Sequence, residues 1–245
     1  MRLAVISDIH GNDIALERVL AAIAGDRPDG IVCLGDVAGT GPQPHAAVER
    51  LRGCGARVVM GNVDWYMLHP ESVASGLDEA IALFWDIDLW CAEQMTAADR
   101  TYMGGFERSI ALELGTGGSV LCFHGSPSSF DDRITATTPD ADLERFFHGY
   151  NSAVYAGGHT HFAMVRRHGS ALVLNPGSVG MSYDRTHPTT DIRFAQWAEY
   201  ALLTIDTGTC SVELRRVEYD KSLVSEAVRA SGMPHADWLA DQWAR

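Results

Sequence analysis

The sequence Gly-Gly-His-Thr-His at residues 157–161 follows a short apolar run at residues 153–156. The apolar run predicts a buried strand, and the paired glycines let the backbone turn closely after it. Residues two apart on an extended chain point to the same side, so we expect His159 and His161 to enter one cavity. Neutral imidazole is the commonest metal ligand among side chains. A His-x-His pair is more often a surface pair. Whether this pair binds a metal therefore depends on which other potential ligands lie close to it.

Other apolar runs also end in residues that can bind a metal. The donors predicted at strand ends come from five segments and are Asp8, His10, Asp36, Asn62, His124, His159 and His161. A first-row ion takes about four to six ligands, so seven donors are more than one ion needs. The mixture of carboxylate, imidazole and amide suits zinc, manganese or iron better than calcium. Two ions sharing a carboxylate would lie roughly 3.5 to 4 Å apart, a spacing used for displacement at phosphorus.

Several of these residues also have structural interpretations. Asn62 suits a turn, and His124 is a lone histidine after a strand. Asn12 and Asp64 are candidates for orienting the ligands or the phosphate, although helix capping and turn formation explain them equally well. Ser7, Ser126 and Ser178 lack the Gly-x-Ser-x-Gly context of a nucleophile. Arg185 and His187 are possible substrate contacts, with a solvated loop role favoured.

The elements that must position these donors follow from periodicity. Residues 2–7, 30–34 and 57–60 are predicted strands, each followed by polar residues, with helices between them, as at the ligand-binding edge of an open α/β sheet. Residues 65–106 have a helical pattern and are expected to form a helical insert. Within it, Thr96 is predicted to be the N-cap of a helix. A hairpin around Gly115–Gly118, a helix near residues 140–147 and four later strands precede two short terminal helices. We expect one domain over residues 1–245.

The amino-acid composition limits the classes of molecule that the protein is expected to bind. The 245 residues carry 19 Lys and Arg against 32 Asp and Glu, a formal net charge of −13. Such a surface disfavours nucleic acid polymers, which need Lys and Arg to displace counterions. No stretch resembles a membrane span or a signal peptide, and the five cysteines form no Cys-x-x-Cys pattern. We therefore expect a cytoplasmic protein. If its substrate is anionic, the positive charge that the surface lacks must come from elsewhere, and bound metal ions are the candidate source. The oligomeric state stays open.

The ordered motifs resemble those of the calcineurin-like metallophosphoesterases. They are Asp8-x-His10, Gly35-Asp36, Gly61-Asn62-x-Asp64, His124-Gly125 and Gly157-Gly158-His159-Thr160-His161. The segment 175–180, Asn-Pro-Gly-Ser-Val-Gly, is similar to one in the small prokaryotic phosphodiesterase branch of that family. The resemblance implies a four-layer αββα sandwich of two mixed sheets flanked by helices.

The same resemblance implies a dinuclear metal site. One ion would take Asp8, His10, Asp36 and His161, the other Asp36, Asn62, His124 and His159, with Asp36 as the bridge. A hydroxide held between the ions, next to Asp8, Asp36, Asn62 and His124, would attack phosphorus in line with the leaving oxygen. Asn12, Asp64 and Ser178 would support the ligands or contact the substrate.

Val63 departs from the wider family, in which many members have a histidine that assists the leaving oxygen. Either another group protonates that oxygen, or the substrates have leaving groups that are stable as anions. We expect a metal-dependent phosphodiesterase acting on small phosphate esters or nucleotides. A dinucleoside polyphosphate hydrolase is the alternative that Val63 favours, and a non-catalytic interaction module is a rival from another class.

Overall fold

The structure is a computed structural model and describes residues 1–73, 79–113, 118–184, 193–206 and 209–244. Its strands are β1 (Arg2–Ile6), β2 (Gly30–Cys33), β3 (Arg57–Val58), β4 (Ile110–Glu113), β5 (Ser119–Cys122), β6 (Val154–Ala156), β7 (Met164–His168), β8 (Ala171–Asn175), β9 (Trp197–Asp206) and β10 (Thr209–Glu218). Its α-helices are α1 (Asp13–Asp26), α2 (Pro44–Gly53), α3 (Asn62–Leu68), α4 (Glu79–Gln94), α5 (Ala97–Met103), α6 (Asp140–Phe146), α7 (Lys221–Ala230) and α8 (Ala236–Ala244), with a short 3-10 helix at Pro70–Ser72.

The described strands form two sheets of five. The first has the order β10-β9-β1-β2-β3, with β1, β2 and β3 parallel and β9 antiparallel to both of its neighbours. The second has the order β4-β5-β6-β8-β7, with β5, β6 and β8 parallel and an antiparallel strand at each edge. Both sheets are therefore mixed, as the resemblance implies.

Alternating side chains on the strands separate the apolar layers. On β1, Leu3 and Val5 pack against the second sheet, whereas Ala4 and Ile6 pack against the helices on the other face. The period of two along a strand places successive side chains on opposite faces. Helices α1, α2, α4, α5, α7 and α8 contribute to the helical layer on the first sheet, and Leu143 of α6 packs on the outer face of the second sheet. The αββα sandwich predicted from the motifs is confirmed.

The helical insert is present as α3, α4 and α5. Thr96 caps α5 as predicted: its hydroxyl accepts from the Asp99 amide at 3.1 Å, and the Asp99 carboxylate accepts from the Thr96 amide at 2.9 Å. This reciprocal capping box satisfies amide groups that the first helical turn leaves unpaired. No helix in the described ranges is long and apolar enough to cross a membrane.

The third strand is shorter than predicted. Its pairing with β2 covers only Arg57 and Val58. Val59 instead forms a parallel bridge to Glu107, and the Met60 amide donates to the Glu107 carbonyl at 2.8 Å. The insert thus takes over the backbone pairing, and Asn62 begins helix α3 instead of ending a strand. Residues 114–117 of the predicted hairpin turn lie outside the described residues.

Candidate metal centre

The carboxyl ends of central strands from both sheets meet at one place. Asp8 follows β1, Asp36 follows β2, His124 follows β5 and His159 follows β6. Parallel neighbours direct their carboxyl ends to the same edge of a sheet, so packing the two sheets face to face brings four such ends together. The structure places all seven predicted donors at this edge.

Asp8, His10 and His161 form a first group, with ligand atoms within 4.8 Å of one another. The Nε2 atoms of His10 and His161 are 3.1 Å apart, and Asp8 Oδ1 is 3.4 Å from His161 Nε2. This oxygen is buried and accepts no well-aligned hydrogen bond from the described residues. A buried carboxylate oxygen without a donor is costly unless a cation binds it. The first group therefore has the chemistry of a cation site.

Asp36, His124 and His159 form a second group with the same close spacing of ligand atoms. Asn62 joins it, because its Oδ1 atom lies 2.9 Å from His124 Nε2. Asp36 borders both groups: its Oδ2 is 3.3 Å from His124 Nε2 and 3.8 Å from His10 Nε2. The other carboxylate oxygen accepts from the Val63 amide at 2.9 Å, which fixes the orientation of the group.

Three histidines are oriented by backbone carbonyl groups. The Nδ1 atoms of His10, His124 and His161 contact the carbonyls of Gly39 at 3.2 Å, Leu34 at 2.7 Å and Met181 at 2.9 Å, respectively. A carbonyl only accepts, so each Nδ1 is the donor, and Nε2 is the nitrogen of each ring left to face the pocket. Histidines that bind metals are typically held in this way by their second nitrogen.

The charges in the pocket depend on each other. Burial lowers the pKa of His124, but the charge and hydrogen bond of Asp36 outweigh it and raise that pKa to about 9. Burial raises the pKa of Asp36, yet His124 holds it well below its usual range. Burial also lowers the pKa of His10 and of His159 to about 4, the nearby imidazoles adding to the effect. The carboxylates are therefore ionised at neutral pH, and His10 and His159 are neutral ligand candidates.

Five of the seven donors have a left-handed backbone. The φ angles are 55° for Asp8, 47° for His10, 54° for Asp36, 65° for His159 and 58° for His161. Positive φ is uncommon for residues other than glycine and costs of order 1–3 kcal/mol each. Strain of this kind persists where the surrounding structure imposes it, and it clusters at functional sites. Sequence periodicity did not reveal it.

The predicted supporting residues anchor the backbone around the ligands. Asn12 caps α1 through the Ala15 amide at 3.0 Å and donates to the Gly180 carbonyl at 3.0 Å. Asp64 accepts from the amide of Val37 at 2.8 Å and from that of Gly61 at 3.3 Å. Ser178 donates its hydroxyl to the Asp8 carbonyl at 2.8 Å. In this structure all three side chains contact the protein backbone.

Asn175 is a supporting residue that the sequence reasoning did not single out. It is buried, and its Nδ2 donates to the Gly158 carbonyl at 2.7 Å and to the Thr160 hydroxyl at 3.1 Å. Its Oδ1 accepts from the Gly177 amide at 2.8 Å. Asn175 therefore ties the loop that carries His159 and His161 to the 175–180 segment. Its position at the start of the 175–180 segment was the sequence feature that could have identified it.

A cavity of about 480 Å³ opens beside the two groups. Donor residues His10, Asp36, Asn62, His159 and His161 line one part of it. Apolar and aromatic residues of α3, α4 and the 181–183 segment line most of the remainder, among them Val63, Tyr66, Ile81, Phe84, Trp85, Met181 and Tyr183. The cavity is within the size range of sites for small ligands. Arg185 and His187 lie outside the described residues.

Asp88 is a second residue that the sequence reasoning missed. It lies on α4, is only 6% exposed, lines the cavity and accepts from the Thr40 hydroxyl at 2.7 Å. The signal was its position on the apolar face of α4, since Asp88 follows Phe84 by four residues and precedes Cys91 by three. An acid on an apolar helix face is unusual enough to indicate a role.

Comparison with known proteins agrees with this fold. The family model of the calcineurin-like phosphoesterase superfamily domain matches residues 1–208. The protein MJ0912 of Methanocaldococcus jannaschii is 28% identical over 98% of this chain and 96% of its own length. The chain belongs to the calcineurin-like phosphoesterase superfamily, and the resemblance drawn from its motifs is confirmed.

Two solved structures are similar over almost the whole chain. The metallophosphoesterase from Sphaerobacter thermophilus has a TM-score of 0.74 and 25% identity, covering 100% of this chain and 98% of its own. The protein PH1004 from Pyrococcus horikoshii OT3 has a TM-score of 0.78 and 19% identity, covering 98% of this chain and 97% of its own. At 19% identity, the similarity to PH1004 shows a shared fold.

Proposed function

We propose that this protein is a phosphodiesterase that uses two transition-metal ions, manganese, zinc or iron, to hydrolyse small phosphate esters or nucleotides. The observation that carries the proposal is the arrangement of Asp36 between the two groups of ligand atoms. Its Oδ2 is within 4 Å of both His10 Nε2 and His124 Nε2, at 3.8 and 3.3 Å. One carboxylate placed in this way suits a bridge between two cations.

The donor set fits such ions. Asp8, His10, Asp36 and His161 would hold one ion, and Asp36, Asn62, His124 and His159 would hold the other. The Oδ1 of Asp8, which is buried and accepts no well-aligned hydrogen bond within the described part of the chain, supports this assignment, as do the inward Nε2 atoms. When bound, the ions would neutralise phosphate oxygens and increase the acidity of a water molecule. The mixture of imidazole, carboxylate and amide favours transition metals over calcium.

The protein itself would position the substrate. The hydrogen bonds to Gly39, Leu34 and Met181 hold the imidazoles in fixed orientations, so little rearrangement is needed during the reaction. The apolar wall of the cavity excludes water from one side of the phosphate. Tyr66, Phe84 and Trp85 on that wall suit a planar group such as a nucleobase, because aromatic rings stack favourably.

A dinucleoside polyphosphate is a second candidate substrate. Val63 lines the cavity and can neither donate a proton nor bind phosphate. Its position favours leaving groups that are stable as anions, which a polyphosphate provides. A non-catalytic interaction module is the remaining alternative, and the donor set gives no reason to prefer it.

The test is hydrolysis of bis(4-nitrophenyl) phosphate and of a dinucleoside polyphosphate by protein loaded with manganese. Wild type should release nitrophenolate, Asp36→Ala should lose at least a hundredfold in kcat/KM, and the matched variant His148→Ala, at an exposed histidine, should resemble wild type. Preference for the polyphosphate would select the second candidate. Metal binding without hydrolysis of either compound would reject the enzyme proposal in favour of an interaction module.

A further inference from the structure

Asp88 is a buried carboxyl group that the proposed metal ligands leave unused. In the metal-free protein its ionisation depends first on burial and then on the Thr40 hydroxyl and the carboxylates of Asp36 and Asp64, none of which is a cation. Burial without a compensating positive charge favours the neutral acid. Asp88 is therefore suited to donating a proton.

Asp88 lies next to Val63 and, through the Gly39 backbone, close to the proposed ligand His10. A side chain at Gly39 would collide with Val63 Cγ1 and lie 2.8 Å from Asp88 Oδ1, so both groups pack on the Gly39 backbone. The Gly39 carbonyl in turn accepts from His10 Nδ1 at 3.2 Å. Asp88 and Val63 thus share one wall of the cavity, a single backbone residue away from a proposed ligand.

We propose that Asp88 is a catalytic residue that protonates the leaving oxygen when the substrate is a phosphodiester with an alkyl leaving group. The inference rests on the proposed phosphodiesterase function and names the group that takes the place of the family histidine at Val63. It selects the first of the two alternatives that Val63 leaves open.

The proton balance of this step is complete. The oxygen of water forms a new bond to phosphorus, and the bond from phosphorus to the leaving oxygen breaks with its electron pair on that oxygen. The carboxylic proton of Asp88 passes to the leaving oxygen, which departs as an alcohol. The proton released by the attacking water goes to solvent, and Asp88 regains one from solvent.

In the metal-free protein, the surroundings of Asp88 keep it protonated near neutral pH. Burial raises the pKa of Asp88 to about 8; the Thr40 hydrogen bond opposes this rise, and the negative charges of Asp36 and Asp64 add to it. The Cys91 thiol, three residues along α4, is neutral because burial raises its pKa well above the usual range. The acid form is lost as the pH rises through the pKa of Asp88, so its contribution should fall on the alkaline side.

The variant Asp88→Asn separates this role from a structural one, because the amide oxygen still accepts from Thr40 and the side-chain volume is unchanged. Two phosphodiesters that share one retained group should be compared with manganese-loaded protein, one with a 4-nitrophenyl and one with an alkyl leaving group. We expect kcat/KM to fall roughly 10²- to 10⁴-fold for the alkyl substrate and to change little for the nitrophenyl substrate. Asp86→Asn, at an exposed acid on the same helix, is the matched control.

A measurement that does not depend on turnover accompanies the kinetics. In metal-free protein, the infrared difference between wild type and Asp88→Asn should contain a carbonyl band of a protonated carboxylic acid near neutral pH. The band should disappear as the pH is raised past about 8. Absence of that band at neutral pH would overturn the proposal.

Each kinetic outcome separates this inference from the proposed function. An equal loss on both substrates would mean that Asp88 only supports the fold, and no loss on either would mean that it has no role. If wild type cleaves the nitrophenyl substrate but not the alkyl one, the phosphodiesterase proposal stands and the role of Asp88 is rejected. If wild type cleaves neither, both proposals fail.

Discussion

The Nε2 atoms of His10 and His161 lie 3.1 Å apart in a buried pocket, although each ring already donates its Nδ1 proton to a backbone carbonyl. In the neutral rings both Nε2 atoms carry lone pairs that face each other, so the contact is repulsive until a proton or a cation lies between them. At His124 the positive charge is a proton in the metal-free pocket, because, despite burial, Asp36 raises its pKa to about 9 and its Nε2 donates to Asn62 Oδ1 at 2.9 Å. The pocket is thus organised for positive charge.

Removal of the proposed bridge should reduce the number of bound ions. We expect about two manganese ions per chain in wild type and fewer than one in Asp36→Ala, because both groups of donors lose a shared carboxylate. Elemental analysis after gel filtration measures the ratio, with exposed His148→Ala as the control. Two ions retained in Asp36→Ala would contradict the bridging assignment.

Metal binding should also stabilise the fold. An ion that binds only the folded state at a hundred times its Kd contributes about 2.7 kcal/mol, which for a chain of this size raises Tm by roughly 5 to 10 °C. Differential scanning calorimetry of chelator-treated protein with and without added manganese tests this. The increase should be much smaller in His161→Ala, and an equal increase there would show that the ions bind elsewhere.

Asn175 should influence metal affinity without contacting the ions. The variant Asn175→Ala removes the bonds to Gly158 and Thr160 that hold the loop carrying His159 and His161. We expect the Kd for manganese to rise roughly 10- to 100-fold, as for other residues that orient ligands. Isothermal titration gives the Kd, and Asn151→Ala, at an exposed asparagine, should bind like wild type. Unchanged affinity in Asn175→Ala would mean that the loop is held by other contacts.

The capping box of α5 should make a pH-dependent contribution to stability. Burial raises the pKa of Asp99, but hydrogen bonds from Thr96 and His45 outweigh it and bring that pKa to about 2. Because the folded pKa lies below the usual value, the stabilisation is complete above about pH 4 and is lost as the pH falls through about 2.

Asp99→Asn should therefore lower the free energy of unfolding by about 1 kcal/mol at neutral pH. The difference from wild type, measured by urea unfolding, should shrink as the pH approaches about 2. Asp206→Asn, at an exposed aspartate, should cause no comparable loss. A difference that is constant with pH would show that the carboxylate charge is not the stabilising feature.

Much of the architecture could be predicted from local patterns. The continuous apolar run at residues 3–6 predicts β1 as a buried strand, and Thr96 with Asp99 predicts the start of α5. In the structure, Leu3 and Val5 pack on one side of β1 and Ala4 and Ile6 on the other. The predicted length of β3 was wrong because the residue that follows it, Val59, pairs with Glu107, about fifty residues away. Periodicity contains no information about such a distant partner.

The sequence by itself determined which residue types end the strands, and hence that carboxylate, imidazole and amide donors were available in a recognisable order. Only the tertiary structure decided their distances, the left-handed backbone at five of them and the orientation of each imidazole by a distant carbonyl. It also decided that Asp88, on a helix of the insert, enters the same cavity. The physical reason is that these features depend on contacts between residues far apart in the chain, which local composition and spacing do not specify.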